Sequence, residues 1–369
     1  MIILLLFSYS IFVILMLIGW LKIPIVETKN GPKNTFVSII VAVRNEEKNV
    51  GELIQCIENQ TYRKYLFELI IVNDHSDDGT LAVLNKLKET VTIDLKIIDL
   101  IEDEPSKSGK KQAISKGIAL SKGKLIVTTD GDCMMGPQWI EKIVSYYEST
   151  NFKFISGPVT FHSNSFFDSL QIVEFASLVG SGASSIQLGS PNMCNGANIA
   201  YEKNAYLAVN GFEGYENIPS GDDEFLMHKI SAKFPNQIGF LKEKDALVKT
   251  HSQPNLTAFI HQRKRWASKW NQYLNIRNSI LALFIFFVNL FFVAAIILAF
   301  FGHSSAFLGT ALLLKVFIEW IFIGAILWFL DYSNKILFIP LVQIIYPFYI
   351  VYTAINSTSK SYIWKGRVY

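Results

Sequence analysis

The chain has 369 residues, of which 50% are hydrophobic and only 18% charged, and its formal net charge is +3. A charged fraction this far below the usual quarter points to membrane segments. So small a net charge makes no electrostatic case for nucleic acid. The three cysteines, Cys56, Cys133 and Cys194, are odd in number, far apart and without metal-binding spacing, which suits a reducing compartment and argues against a disulfide framework.

Met1 to Leu21 carries no charge and is followed by Lys22, Lys29 and Lys33. It lacks a basic leading region and a small-x-small cleavage site, so residues 1–21 read as an uncleaved transmembrane helix rather than a signal peptide. Short apolar runs then alternate with helical patterns. Strands are predicted at Phe36–Val43, Phe67–Val72, Leu95–Leu100 and Lys124–Thr129, and helices at Glu46–Asn59, Thr80–Glu89, Lys110–Leu120 and Pro137–Glu148. Continuously apolar strands separated by helices predict an α/β fold with a mostly parallel sheet covered on both faces.

Beyond Lys153 the pattern loosens. Phe166–Leu178 predicts an amphipathic helix and Ser181–Gly196, rich in Gly and Ser, a loop. Lys203–Val209, Asp222–Lys233 and a longer Leu256–Leu274 read as helices. Three more apolar blocks follow, Ile280–Phe301, Ala306–Leu330 and Ile336–Ile355. Each reaches the roughly 20 residues that cross a hydrocarbon layer. Pro340, Gln343 and Pro347 mark the last block as a candidate re-entrant or broken segment.

In an open parallel sheet, ligands bind beyond the carboxyl ends of the strands. Polar clusters fall at those ends: Arg44-Asn45-Glu46-Glu47, then Asn73-Asp74-His75-Ser76-Asp77-Asp78-Gly79, then Asp130-Gly131-Asp132. Any one of them could be a turn or a helix cap; three on one sheet edge argue for a site. The two carboxylates around Gly131 suit one hard divalent cation, Mg²⁺ or Mn²⁺, shared with substrate phosphates. Gly109-Lys110-Lys111 opens a helix, a natural anion site, but neither GxxxxGK[ST] nor GxGxxG occurs.

The ordered series SIIVAVRNEE, IIVNDHSDDGT, GKKQA, VTTDGDC, GDDEFL and QRKRW resembles the motif series of the inverting family-2 glycosyltransferases over about Phe36 to Trp270. The resemblance implies a GT-A fold, a nucleotide-binding sheet fused to an acceptor-binding half. It implies donor contacts by Asn45, Glu46, Asp74, Lys110 and Asp130, and a metal on Asp132 and Asp130. Asp223 matches the general base, with Asp222 where the family has Glu; Asp222 and Glu224 are the neighbouring carboxylates open to that role. Asn198, Asp222 and Trp266 fall on the acceptor side, and Gln262 and Arg265 near the diphosphate. His75 stands where the family often has Gly.

Gln262, Arg265, Trp266 and Lys269 recur at i, i+3, i+4 and i+7 and so share a helix face. Trp270, Tyr273 and Arg277 suit a membrane surface instead. The implied organisation is a cytoplasmic GT-A domain at 34–275, with a nucleotide-sugar half at 34–150 and an acceptor half at 151–275. A membrane region of two to three spans follows at 278–356, then a basic tail at 357–369. Lys360, Lys365 and Arg367 favour a cytoplasmic tail. The expected partners are a nucleotide-diphospho-sugar (a UDP-sugar by default), a lipid or lipid-linked glycan acceptor and the bilayer, with no nucleic acid. The rival readings are a processive polysaccharide synthase of the cellulose, hyaluronan or poly-N-acetylglucosamine type and, more remotely, a non-catalytic membrane scaffold.

Overall fold

The computed structural model describes residues 2–25, 33–100, 108–218, 220–267, 276–302, 305–356, 363–364 and 367–368. Lys269, Trp270, Tyr273, Lys360 and Lys365, and with them most of the tail, lie outside the described residues. In chain order the elements begin with α1 (Ile2–Lys22), β1 (Val37–Val43), α2 (Val50–Glu58), β2 (Phe67–Asn73), α3 (Thr80–Lys88) and β3 (Asp94–Asp99). There follow α4 (Gly109–Leu120), β4 (Leu125–Asp130), β5 (Met134–Met135), α5 (Trp139–Ser149), β6 (Phe154–Ser156) and β7 (Val159–Phe161). Next come α6 (Phe166–Gln187), β8 (Ile199–Glu202), α7 (Lys203–Ala208), α8 (Asp222–Lys233), β9 (Ile238–Phe240) and β10 (Val248–Thr250). Helices α9 (Leu256–Ala267), α10 (Ile276–Phe300), α11 (Ala306–Phe329) and α12 (Ile339–Asn356) lead to the short strands β11 (Ile363–Trp364) and β12 (Arg367–Val368).

The chain forms two compact units. One comprises Ile23–His162 and Ser185–His251, the other Met1–Lys22, Ser163–Ser184 and Ser252–Tyr369. The compact division therefore departs from the 34–275 boundary expected from sequence, because α9 and most of α6 group with the apolar helices.

The first unit holds a seven-stranded sheet in the order β3-β2-β1-β4-β8-β6-β9. β1 pairs in parallel with β2 on one side and β4 on the other. The chain thus reverses its direction of travel across the sheet at β1 and β4, the switch point where such sheets open a crevice. Every residue of β2 is buried and nearly every residue of β1, as the unbroken β-branched runs require of strands covered on both faces. Glu68, inside β2, is the charged exception. Its carboxylate accepts from Ser38 Oγ (2.6 Å), Lys96 Nζ (2.5 Å) and the Lys122 N–H (2.6 Å). Burial pushes the Glu68 carboxyl up, but the bonds from Lys96, Ser38 and Lys122 outweigh it and hold the group below the usual carboxylate range.

β8 enters antiparallel between β4 and β6, and Asn198 immediately before it ties three segments together. The amide is 1% exposed. It donates to the carbonyls of Pro158 (2.9 Å) and Ala246 (2.8 Å) and accepts from Trp139 Nε1 (3.0 Å). Both amide hydrogens of Asn198, expected on the acceptor side, are thus spent inside the core.

In the second unit, four helical segments are long and apolar enough to cross a membrane among the described residues: Ile2–Lys22, Ser279–Phe300, Ala306–Phe329 and Ser333–Ala354. The last is helical throughout, starting as a 3₁₀ turn over Ser333–Phe338 and continuing as α12. Pro340 sits in the first turn of α12, where no N–H is needed. Gln343 donates to the Val316 carbonyl (2.8 Å) and to Glu319 (3.1 Å). Glu319 also accepts from Lys315 Nζ (2.8 Å) and the Tyr9 hydroxyl (2.5 Å). Helix α6 runs through the Gly/Ser stretch expected to be a loop, as far as Gln187. Just before that stretch, Gly180 serves close packing: a Cβ there would lie 2.0 Å from Ile326 Cδ1 of α11.

Two substitutions test this account. Glu68→Ala should cost ~1–3 kcal/mol, read from urea unfolding of the full chain in detergent. That contribution is present above the ordinary carboxylate range and lost as pH falls through the lowered folded-state value. Asn198→Ala should cost on the order of 3 kcal/mol, since it strands one buried donor and two acceptors. If the residue serves the core alone, acceptor KM in the folded fraction should stay unchanged; a raised KM at an unchanged midpoint would support the acceptor-binding role.

Candidate active site

The carboxyl ends of β1 and β2 are stitched into one surface. Asn45 leaves β1 with φ 53°, a left-handed backbone that Asn tolerates better than most residues. Its N–H donates to Ser76 Oγ and its amide oxygen accepts from the Asp77 N–H, each at 3.0 Å. Arg44 Nη1 donates to the carbonyls of Asp74 (2.9 Å) and His75 (2.7 Å). The Glu46 N–H donates to Thr80 Oγ1 (2.8 Å), and the Glu46 carboxylate accepts from Asn49 Nδ2 (2.7 Å). Asn45 and Glu46 thus tie the end of β1 to the segment after β2. Asp74 is 3% exposed, with its Oδ1 2.9 Å from His75 Nδ1. His75 adopts φ 53°, the region where glycine is favoured, and the imidazole contact with Asp74 compensates its strain.

At the end of β4, Asp130 and Asp132 flank Gly131. A Cβ on Gly131 would lie 2.9 Å from Glu46 Cγ and 3.0 Å from Val43 Cγ1, so this turn has no room for a side chain. Ligand atoms of Asp130, Asp132 and Cys133 lie within 4.8 Å of one another. Burial, then the charges of Asp130 and Asp132, push the Cys133 thiol well above its ordinary value. A protonated thiol does not bind a hard cation, whereas two carboxylates do. The donor set therefore fits Mg²⁺ or Mn²⁺ held by Asp130 and Asp132. Thr250 Oγ1 donates to Asp132 Oδ2 (3.1 Å) and so orients it.

Helix α4 supplies the counter-charge. Lys110 Nζ lies 2.6 Å from Asp130 Oδ1 and 3.1 Å from Asp222 Oδ2. Burial alone would lower the Lys110 pKa, but Asp130 and Asp222 outweigh it and raise it. Burial would likewise raise Asp222, yet Lys110 and Lys111 hold that carboxyl below its usual range. Lys111, whose role the sequence did not disclose, is buried and donates to the carbonyls of Ser220 (2.9 Å) and Ile218. It thereby fixes the loop entering α8. The only sequence signal was a second lysine in GKKQA.

Gly221 caps α8 with φ 78°, and Asp222, Asp223 and Glu224 occupy its first turn. There the exposed N–H groups and the helix dipole favour negative charge. Asp223 Oδ2 accepts from the Gly196 N–H and Oδ1 from the Glu224 N–H, both at 2.7 Å. Glu224 is buried. Asn45, Glu46, Asp74, Lys110, Asp130, Asp132, Asp222 and Asp223 thus all belong to the first unit, and Lys110 joins the β4 and α8 carboxylates directly.

Gln262, Arg265 and Trp266 lie on α9 of the second unit, each half-buried. The fully buried cation there is Arg263, bonded to Glu174 of α6. Arg277 is exposed on α10.

The chain is similar to several known proteins. A family model described as glycosyl transferase family 2 matches residues 38–199. A second, described as glycosyl transferase family group 2, matches residues 125–351, more than half of the chain. Glycosyltransferase AglE of Haloferax volcanii is 36% identical over 126 residues, 34% of this chain and 40% of the relative. Dodecaprenyl-phosphate galacturonate synthase of Rhizobium johnstonii is 30% identical over 135 residues, 36% of this chain and 39% of the relative. Poly-beta-1,6-N-acetyl-D-glucosamine synthase of Staphylococcus aureus is 27% identical over 181 residues, 47% and 41% of the two chains. The matched stretches thus span about two fifths of these curated relatives. Among solved structures, the mannosyltransferase PcManGT of Pyrobaculum calidifontis, in complex with GDP-Man and Mn²⁺, aligns over 97% of this chain and 98% of its own with TM-score 0.58 at 16% identity. That likeness concerns the fold. Together with the family match, it identifies the chain as a member of the family-2 glycosyltransferases, built on the GT-A fold.

Proposed function

We propose that the protein is a membrane-bound inverting glycosyltransferase that moves a sugar from a nucleotide-diphosphate donor, by default a UDP-sugar, to a hydroxyl of a lipid or lipid-linked acceptor. The observation that carries this reading is the double ion pair of Lys110 with Asp130 and Asp222, beside Asp223. It sets a metal-type carboxylate pair, a cation and a candidate base around one crevice. Four apolar helices of spanning length support a membrane-borne acceptor. So does the relative named a dodecaprenyl-phosphate synthase. The lysines after the first span favour a cytoplasmic catalytic region at 34–275.

Asp74, at the end of β2, receives the donor's nucleoside on the rim shaped by Asn45 and Glu46. Asp130 and Asp132 hold the divalent cation, which when bound neutralises charge on the departing diphosphate. Lys110 adds a positive charge at the same edge. Asp223, its carboxylate oriented by the Gly196 and Glu224 N–H groups, takes the proton of the acceptor hydroxyl. The hydroxyl oxygen bonds to the anomeric carbon while the bond to the diphosphate breaks, and the nucleotide diphosphate leaves on the opposite face. The configuration inverts, and no protein nucleophile takes part. Asp222 is paired with Lys110 and Glu224 is buried, which favours Asp223 as the base. Gln262 and Arg265 serve the diphosphate, and Trp266 the acceptor.

A polymer-forming reading draws on the similarity to the poly-N-acetylglucosamine synthase of Staphylococcus aureus. The products separate the two, since single transfer leaves one added sugar and a synthase leaves a ladder of chain lengths.

The direct test is a screen of UDP- and GDP-sugars on membranes holding the full chain, reading nucleotide release with Mg²⁺, with Mn²⁺ and with a chelator. Release should require the divalent cation; metal-independent release would remove the role given to Asp130 and Asp132. Asp223→Asn should lower turnover by about 10²–10⁴-fold and leave nucleotide affinity within about twofold. Unchanged turnover would reassign the base.

A further inference from the structure

Arg263 lies within the basic stretch of α9, yet it is 5% exposed, and its ion-pair partner Glu174 of α6 is 4% exposed. Its guanidinium makes a two-pronged pair with that carboxylate, through Nε to Oε1 (3.0 Å) and Nη2 to Oε2. The third nitrogen, Nη1, donates to Gln262 Oε1 at 2.5 Å. One face of the guanidinium plane lies over the Phe259 ring, 4.4 Å from its centroid, and the group is 4.3 Å from the Trp266 ring. Tyr349 of α12 donates its hydroxyl to Glu174 Oε1 (2.7 Å), which completes the buried carboxylate's partners. Trp266 is steadied further by Phe175, at 6.2 Å between ring centroids.

The chemistry of the contact with Gln262 is directional. A guanidinium only donates, so the Gln262 amide must turn its oxygen to Arg263 and its NH₂ away. Gln262 then offers donors, which suit phosphate or sugar oxygens. The guanidinium carbon also lies over the Trp266 indole, which packs against it. Lysine matches none of this, having one compact ammonium and no plane to stack or fork.

We infer that Arg263 is a positioning residue of the transfer reaction: locked by Glu174 and Tyr349, it orients the Gln262 amide and the Trp266 ring. This rests on the roles proposed above for Gln262 and Trp266. Neither composition nor the family motif singles it out, since Arg263 stands at an unspecified position of Q-x-x-R-W.

A purely structural ion pair would cost stability at any rate of turnover. A positioning residue instead acts through Gln262, so the two substitutions should not combine freely. The experiment uses the full chain in detergent with Mn²⁺, measuring nucleotide release from the UDP- or GDP-sugar that the donor screen selects. Affinity for the matching free UDP or GDP and the urea midpoint are measured alongside. Arg263→Lys should lower kcat by about 10- to 100-fold, as for an ångström-scale misplacement, with donor KM within about twofold. In a Gln262→Ala background the same change should cost at most about threefold more. Losses that multiply, or an Arg263→Lys rate equal to wild type, overturn the proposal. If Arg263→Lys does not fold, Tyr349→Phe keeps the ring and removes only the bond to Glu174. It should give a smaller kcat loss that again vanishes in the Gln262→Ala background, and a persistent loss counts against the proposal. Wild-type turnover by Gln262→Ala would instead overturn the role given to Gln262, and that of Arg263 with it.

Discussion

The candidate site depends on one ammonium. Strand β4 and helix α8 each bring acidic side chains to the same edge of the sheet, and without a cation between them those charges would repel. Lys110 stands at hydrogen-bond distance from Asp130 and at ion-pair distance from Asp222. Because the partners lie on elements distant in sequence, the pair also fixes α8 against the end of β4. The protonation states follow. Lys110 is held charged by its carboxylates and Asp222 by its lysines, so neither is suited to exchange protons near neutral pH. Asp223 is held differently, by two backbone N–H groups. Those bonds orient the carboxylate, and the Lys110 charge acts on it as well.

The second unit solves a related problem. Its apolar helices share one polar centre at Glu319, where Tyr9 of α1, Lys315 of α11 and Gln343 of α12 converge, with Phe292 of α10 packed on the Lys315 ammonium at 4.2 Å. Between apolar helices in lipid, dispersion alone selects neither rotation nor register sharply. A buried carboxylate that needs three donors selects both. Elsewhere in that unit, Glu174 gathers Arg263 of α9 and Tyr349 of α12 in the same way.

Much of this could be read from the residues. Unbroken β-branched runs separated by helical patterns marked the parallel strands, and the acidic clusters at their ends marked the candidate site. Four apolar blocks marked the spanning helices. What escaped depends on packing between distant segments. The Gly/Ser stretch Ser181–Gly196 has loop composition, yet α6 stays helical to Gln187, and Gly180 just before it meets Ile326 of α11 where a Cβ would not fit. Asn198 looks like a polar loop residue until Pro158, Ala246 and Trp139 surround it. Lys111 differs from Lys110 in sequence only by its place in a pair, yet one reaches the carboxylates and the other a loop backbone.

The stretch His261–Ala267 shows most clearly what periodicity leaves out. Spacing of i, i+3 and i+4 groups Gln262, Arg265 and Trp266 on one face, and family resemblance selects the same residues. The buried residues of α9 are Phe259 and Arg263, at i and i+4, and the half-buried Trp266 follows at i+7. An arginine occupies a position where the pattern calls for an apolar side chain. In a soluble core that exchange is costly unless the charge is fully paired. Glu174 supplies the pairing from a helix about ninety residues earlier in the chain. No local window could have revealed it, because the anomaly of a buried cation and its explanation lie on different helices. Trp266 belongs to both faces, so the residue assigned to the acceptor is also the one that the buried cation holds.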